Sequence, residues 1–178
     1  MNRKYTYQDY IETPEGSAYQ LLNGNLVCEP DAPYINHQLI SGELFGIIRE
    51  YVKKNDAGLV LAAPTDVYFD DNNTVQPDIL YIPKERMHII KEKYIEGPPG
   101  LVIEIVSQST LHRDTVEKKQ LYEKYGVKEY WLVFTEEDII EVYSLQDNKY
   151  GINRIYEKQD TLVSEVIEGF KLEVKNVF

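Results

Sequence analysis

The chain has 178 residues, of which 43% are hydrophobic, and a formal net charge of −11. This length and composition provide enough apolar side chains for one globular domain, and we expect residues 1–178 to form a single domain. A strongly acidic chain gains little from counterion release on a polyphosphate, so diffuse binding of nucleic acid is disfavoured. Net charge describes the whole surface, however, and leaves a local basic cleft open.

The compartment follows from cysteine content and hydropathy. The solitary Cys28 excludes an intrachain disulfide and is typical of a reducing compartment. No hydrophobic run follows Met1, and no apolar stretch approaches the ~20 residues that span a bilayer. We therefore expect a cytoplasmic protein with no membrane partner.

The N-terminal segment predicts a short helix and a hairpin. Thr6 is placed to cap a helix that ends near Thr13-Pro14. The runs AYQLL and NLVCE are predicted strands, and Asn23-Gly24 between them favours a type I′ turn. The proline-containing segment 30–33 then breaks the chain.

A long helix is predicted next, with Asn36 as its cap and an end near Asn55. At about 100° per residue, one stripe of this helix contains Ile40, Ser41, Leu44, Ile47, Ile48 and Tyr51. His37 lies on the same stripe, so the first turn points an imidazole inward. A lone inward histidine is more often a satisfied core residue than a ligand, and both roles stay open here.

Two later strands each contain one acid in apolar surroundings. After the predicted strands GLVLAAP and DVYFDD, the segment QPDILYIP contains Asp78 at its start, and LVIEIVS contains Glu104 in its middle. An ionised carboxylate is expensive to bury unless a cation or several donors meet it. Two such strands suggest one shared cation. Mg²⁺, with Mn²⁺ as a substitute, would suit Asp78, Glu104 and the backbone carbonyl of Ile105.

The helix that follows places a lysine among apolar residues. Ser109-Thr110 can cap it, and Gly126 can close it after Tyr125. Around the helix axis Lys118 points with the apolar stripe, whereas Lys119 is rotated by about 100° and should face outward. The stripe consists of Leu111, Asp114, Leu121, Tyr122 and Tyr125. A buried lysine needs a partner, which is either Asp114 one turn earlier or Glu104 in a catalytic cluster.

The remaining chain predicts strands. KEYWLVF is followed by DIIEVYSL, KYGINRIYEK and LVSEVI as a meander, with a turn at Asp147-Asn148, and KLEV is a candidate last strand. The order of elements predicts an α/β fold: a central mixed sheet flanked by helices, with an N-terminal β-hairpin and a C-terminal β-meander.

Other functional signals are weak or absent. Asp66, at the start of DVYFDD, could hold a second metal ion or cap a turn, and the turn is favoured. The fifteen tyrosines are scattered through predicted strands and helices, which favours packing over stacking or sugar binding. The chain has no phosphate-cradling glycine loop, no GxSxG motif and no paired-cysteine zinc spacing.

PDILYI, LVIEIVSQST and EKKQLYEKYGVKEYWLV together resemble the putative restriction-endonuclease family of bacteria, and YQLLNGNLV, HQLI and AAPTDVYF extend the resemblance over most of the chain. That family is similar to the PD-(D/E)XK nucleases, which implies a restriction-endonuclease-like fold. By position, Asp78 and Glu104 match the two acids of the pattern. The lysine expected two residues after Glu104 is replaced by Val106, and Lys118 matches the lysine that this family is understood to carry on the following helix.

The resemblance implies a metal-dependent endonuclease that hydrolyses phosphodiester bonds, most simply in DNA. Asp78 and Glu104 would hold Mg²⁺, Lys118 would assist the attacking water, and His37 would position water or phosphate. Asp66 matches an acid of the family whose role is less defined. Two alternatives are a non-catalytic interaction module, which could seal the site or cover it with tyrosines, and a hydrolase of smaller phosphate esters. We expect a homodimer, because symmetric dimers are the commonest assembly.

Overall fold

The structure, a computed structural model, describes residues 3–14, 17–28 and 34–178, with the backbone alone at residue 153. The predicted break at 30–33 lies outside the described residues. The α-helices are α1 (Tyr7–Ile11), α2 (Ile35–Lys54) and α3 (Lys119–Tyr125), and a π-helical segment, Arg113–Lys118, leads directly into α3. Two 3₁₀ helices span Lys84–Ile89 and Val174–Asn176. The strands are β1 (Tyr19–Leu22), β2 (Asn25–Cys28), β3 (Gly58–Ala62), β4 (Val67–Asp70), β5 (Asn73–Val75), β6 (Ile79–Pro83), β7 (Ile95–Glu96), β8 (Leu101–Val106), β9 (Glu129–Phe134), β10 (Ile139–Gln146), β11 (Lys149–Glu157), β12 (Thr161–Val163) and β13 (Lys171–Glu173).

The central sheet has the order β11-β10-β9-β8-β6-β3. Strands β8 and β9 run parallel and the other neighbours are antiparallel, which confirms the predicted mixed sheet. Helix α2 and the C-terminal segment cover one face, and α3 and a second sheet cover the other. Every residue of β8 is buried, as expected for a strand that is covered on both faces.

The second sheet extends the N-terminal hairpin. Its order is β2-β1-β5-β4-β7. The predicted turn is confirmed, since Asn23 and Gly24 have φ values of 51° and 71°, as a type I′ turn requires. Strand β5 was not predicted, because three residues after an Asx-rich turn give no periodic signal. It pairs with β1, and this added partner supports a hairpin that would be marginal alone.

Helix α2 begins slightly earlier than predicted. Its N-cap is Tyr34, which makes no side-chain capping bond, and Asn36 is an exposed residue inside the helix. The cap prediction was wrong because the backbone carbonyl of Tyr34 already accepts from the Gln38 N–H at 3.2 Å. The inward face is formed by Ile40, Leu44, Ile48 and Val52. No helix among the described residues has the length and apolar character needed to cross a bilayer.

The C-terminal meander is confirmed for β9, β10 and β11. The prediction that LVSEVI continues it was wrong, because only Thr161–Val163 is a strand and it pairs with β13 in a separate two-stranded sheet. Hydrogen bonds to Glu129 account for the end of β12 at Val163. Glu129 Oε2 accepts hydrogen bonds from the Ser164 hydroxyl and from the backbone N–H groups of Glu165 and Val166, which turn the chain there.

Glu129 is fully buried, and its Oε1 accepts from the Trp131 indole N–H. Glu129→Ala is expected to lower the free energy of unfolding by roughly 3 kcal/mol, because it leaves several buried donors without an acceptor. Urea denaturation followed by tryptophan fluorescence measures this loss. The exposed Glu157 provides the control, and its replacement by alanine should change stability by less than about 0.5 kcal/mol. Equal losses in the two variants would contradict an anchoring role for Glu129.

Candidate active site

Asp78 and Glu104 face each other across two neighbouring strands. Antiparallel pairing of β6 and β8 ends at Ile79 and Ile103, so the next step of the register sets Asp78 opposite Glu104. Cross-strand neighbours have Cβ atoms about 4.5–5.5 Å apart. The Oδ2 atom of Asp78 accepts from the Ile105 N–H at 2.7 Å, which fixes the carboxylate at the strand end. Its side chain is 21% exposed, so one of the two acids can be reached from solvent.

Glu104 is held from the opposite side by the last helix. Lys118 Nζ lies 3.0 Å from Oε2, and the Tyr122 hydroxyl donates to Oε1 at 2.6 Å. Burial raises the pKa of Glu104 to about 8; the Lys118 charge opposes this, and the Asp114 and Asp78 charges add to it. The expected inward position of Lys118 is confirmed, since it is 3% exposed. Both candidate partners are present, because Asp114 Oδ1 is also 3.7 Å from Nζ.

The π-helical segment Arg113–Lys118 sets this arrangement. It contains both Asp114 and Lys118, and π turns occur often at functional sites. A π turn takes more residues than an α turn, so residues before it are rotated away from the stripe drawn with the α period. Leu111, predicted on that stripe, is accordingly 47% exposed. Lys119 is half-buried, with Nζ 3.7 Å from the centre of the Tyr143 ring, and is therefore less exposed than predicted.

His37 reaches the same site from the other helix. Its Nε2 lies 3.4 Å from Asp78 Oδ2, and the ring is largely buried. Burial lowers the pKa of His37, but the hydrogen bond and charge of Asp78, with smaller contributions from Asp114 and the Ile105 carbonyl, raise it overall. Among the described residues, no group hydrogen-bonds the buried Nδ1 atom. The inward histidine is thus a neighbour of Asp78 and of the Ile105 carbonyl.

Asp66 is not joined to this cluster by any hydrogen bond or ion pair within the described part of the chain. Its Oδ1 accepts from the Tyr10 hydroxyl at 2.8 Å and from the Gln76 amide at 2.8 Å. The Gln76 amide also donates to the Tyr10 oxygen at 3.2 Å. Asp66 Oδ1 thus accepts from two side chains. Neither contact is the backbone hydrogen bond of a turn cap, and neither joins Asp66 to Asp78 or Glu104 as a shared metal ion would require. Tyr10, Gln76 and Tyr122 had no assigned role in the sequence, although Tyr122 stood on the stripe of Lys118.

The donor set fits a hard divalent cation. Asp78, Glu104 and Asp114 supply three carboxylates against the single ammonium of Lys118, and the Ile105 carbonyl faces the same region. Mg²⁺ commonly takes one or two carboxylates and keeps several waters, so a complete protein cage is not required. Within the described ranges, no group of three or more His, Cys, Asp or Glu side chains is arranged to hold a metal ion without other ligands.

These features define a class of protein. The mixed central sheet flanked by helices has the restriction-endonuclease-like architecture. A solved structure from Anabaena variabilis, described as a "putative nuclease", shares the fold with a TM-score of 0.80, at 20% identity and over 97% of each chain. The Uma2 family, described as "Putative restriction endonuclease", matches residues 6–175, and the chain belongs to this family. No curated protein matches the chain.

Proposed function

We propose that this protein is a metal-dependent endonuclease that hydrolyses phosphodiester bonds, with DNA as the substrate. The observation that carries the proposal is the meeting of Glu104, Lys118 and Asp78 at one strand end, with Lys118 Nζ 3.0 Å from Glu104 Oε2. The family, described as a restriction endonuclease family, and the Anabaena protein, described as a nuclease, support nuclease activity in general. The metal ion and the role of each residue are assigned on chemical grounds.

The charge of the cluster favours a divalent ion. With all groups ionised, three carboxylates and one ammonium leave two negative charges in a site where Glu104, Asp114 and Lys118 are each 3% exposed. A buried charge without a partner is costly in free energy. Burial accordingly raises the pKa of both Glu104 and Asp114. Mg²⁺ or Mn²⁺ would be held by Asp78, Glu104 and the Ile105 carbonyl. Asp66 is left out of this ligand set, because its contacts are with Tyr10 and Gln76.

Each side chain then has a distinct task. A bound divalent ion would make water a stronger nucleophile and offset the charge that develops on the phosphate. The Lys118 ammonium, oriented by Glu104 and Asp114, donates a hydrogen bond to the attacking water or to a phosphate oxygen. The partly exposed Asp78 and His37 form the solvent side of the site, so the phosphate would enter there. A protonated His37 would bind a non-bridging oxygen.

Two observations favour the alternatives. Glu104 is covered by Tyr122 and hardly exposed, as a non-catalytic interaction module would permit. Two cations suited to phosphate contacts are paired with acids: Lys84 pairs with Asp56, and Lys91 lies 2.9 Å from Glu96. With a net charge of −11, this suits a smaller phosphate ester better than a long polyanion. Homodimerisation and a cytoplasmic location stay predictions.

Nicking of supercoiled plasmid with Mg²⁺ or Mn²⁺ tests the proposal. Asp78→Ala and Glu104→Gln should each lower the rate at least hundredfold, because each removes a ligand of the ion that stabilises the transition state. Glu50→Ala, which removes an exposed acid on α2, is the charge-matched control and should retain wild-type activity. Nicking that survives in the site variants would contradict the proposal. A wild type that cleaves only bis(4-nitrophenyl) phosphate would indicate the smaller-ester hydrolase, and one that cleaves neither substrate the interaction module.

A further inference from the structure

A cavity of about 340 Å³ lies beside the acid cluster and outside it. Its walls come from Leu61 in β3, from residues 64–66 between β3 and β4, from Gln76, and from the segment 90–95. The Ile95 N–H donates to the Asp66 carbonyl at 2.8 Å, and the Lys91 N–H donates to the Tyr94 carbonyl at 2.9 Å, so the loop is tied to the sheet and turned on itself. The cavity is therefore preformed, and its volume is within the range of small-molecule sites.

Asp66 and Gln76 each present one hydrogen-bond acceptor on one wall of the cavity. Asp66 and Gln76 both line it. Because Asp66 Oδ1 takes the Gln76 amide N–H, the amide oxygen must point the other way. Within the described part of the chain, neither Asp66 Oδ2 nor Gln76 Oε1 receives a hydrogen bond. A ligand that matches this wall presents two neighbouring N–H donors.

The apolar part of the cavity suits a flat ring. Tyr94, Ile90 and Leu61 contribute to its lining. Tyr7 and Tyr68 pack against Tyr94 with ring centres 5.9 and 5.7 Å away and hold its ring in place. These tyrosines, scattered in the sequence, are thus gathered at one site. Enzymes that bind a base taken out of its stack hold the ring between aliphatic and aromatic side chains and recognise its edge by hydrogen bonds.

The cavity is also close to the scissile position that the proposed function requires. Gln76 precedes Asp78 by two residues, so their Cα atoms are at most about 7 Å apart. Exposed Lys93 stands at the rim, where a backbone phosphate could follow. We propose that this cavity binds an unpaired nucleobase that bears an exocyclic amino group, guanine above all, next to the phosphate at the acid cluster. This inference rests on the proposed nuclease function and names a determinant of its substrate.

Guanine offers N1–H and an adjacent amino group, which match Asp66 Oδ2 and Gln76 Oε1, whereas thymine has a single ring N–H between two carbonyls. Titration of the full chain without divalent ions, followed by ¹H–¹⁵N NMR, compares 2′-deoxyguanosine, 2′-deoxyinosine, thymidine and methylguanidinium. We expect deoxyguanosine to bind at least tenfold more tightly than thymidine, because the single N–H of thymidine can meet only one of the two acceptors and places a carbonyl oxygen against the other. Deoxyinosine, which lacks the amino group, should also bind more weakly than deoxyguanosine.

Leu61→Phe should fill the cavity and weaken deoxyguanosine binding at least tenfold. Leu59→Phe, on the same face of β3 but outside the cavity, is the matched control and should bind as the wild type does. The proposal would be overturned if all nucleosides bound equally or none bound. It would also be overturned if methylguanidinium bound as tightly as deoxyguanosine, or if Leu61→Phe left the affinity for deoxyguanosine unchanged. The nucleoside series on the wild type decides it even if Leu61→Phe does not fold.

The two proposals fail separately. Nucleoside binding needs neither metal nor cleavage, so a protein that binds deoxyguanosine but nicks no plasmid loses the proposed activity and keeps the base site. A wild type that nicks plasmid but binds no nucleoside keeps the proposed activity and loses the base site.

Discussion

Lys118→Met is expected to lower the rate of plasmid nicking at least hundredfold, whereas Lys119→Met should stay within about threefold of the wild type. Lys118 Nζ is the donor that faces Glu104 and Asp114, while neighbouring Lys119 lies over the Tyr143 ring. The two variants remove the same charge from adjacent positions of one helix. A difference between their rates therefore reports the site and not the net charge.

The stability of these variants needs a separate measurement, because removing one partner of a buried ion pair is destabilising by about 3–5 kcal/mol. Thermal unfolding followed by circular dichroism shows whether Lys118→Met is folded at the assay temperature. Lys118→Arg keeps the charge but moves its donors, and we expect it to fold and to lose at least tenfold in rate. Full activity in a folded Lys118→Met or Lys118→Arg protein would exclude Lys118 from catalysis.

Mg²⁺ binding is expected to tighten with pH by about tenfold per unit up to about pH 8 and to level off above it. The reason is that burial raises the pKa of Glu104 to about 8, so the carboxyl must release a proton before it can hold the ion. Isothermal titration calorimetry at several pH values measures the dissociation constant, and its dependence on buffer ionisation enthalpy measures the proton released. A pH-independent affinity would show that Glu104 is not a ligand.

The same group links stability to pH with a definite sign. Without a divalent ion, folded Glu104 keeps a proton that the unfolded chain, with the ordinary pKa of 4.5, has released. Its contribution to the free energy of unfolding is therefore greatest below about pH 4.5 and falls until the pH passes about 8. Subtracting the curve of Glu104→Gln isolates this contribution from other groups. Tyr122→Phe removes a hydrogen bond that lowers the pKa of Glu104, so it should move the plateau of Mg²⁺ affinity to higher pH.

Local signals predicted much of the fold. Thr6 does cap α1, with a complete capping box to Asp9, and Gly126 does end α3 in the left-handed region. These features depend on a few neighbouring residues, which is why they can be read from sequence. The failures have a different origin. Strand β5 forms because it pairs with both β1 and β4. The segment LVSEVI does not continue as a strand because the distant Glu129 accepts hydrogen bonds from its backbone N–H groups.

The candidate site divides in the same way. The amino-acid sequence alone determined that two acids stand in apolar strands and that Lys118, not Lys119, turns inward, because the periods of strand and helix are local properties. Only the tertiary structure decided that Lys118 contacts Glu104 and Asp114 at once, because both Lys118 and Asp114 lie in a π-helical segment that the α-helical period does not predict. It also separated Asp66 from this cluster and joined it to Gln76 and to Tyr10, which lies 56 positions earlier in the chain. A contact over that separation depends on tertiary packing.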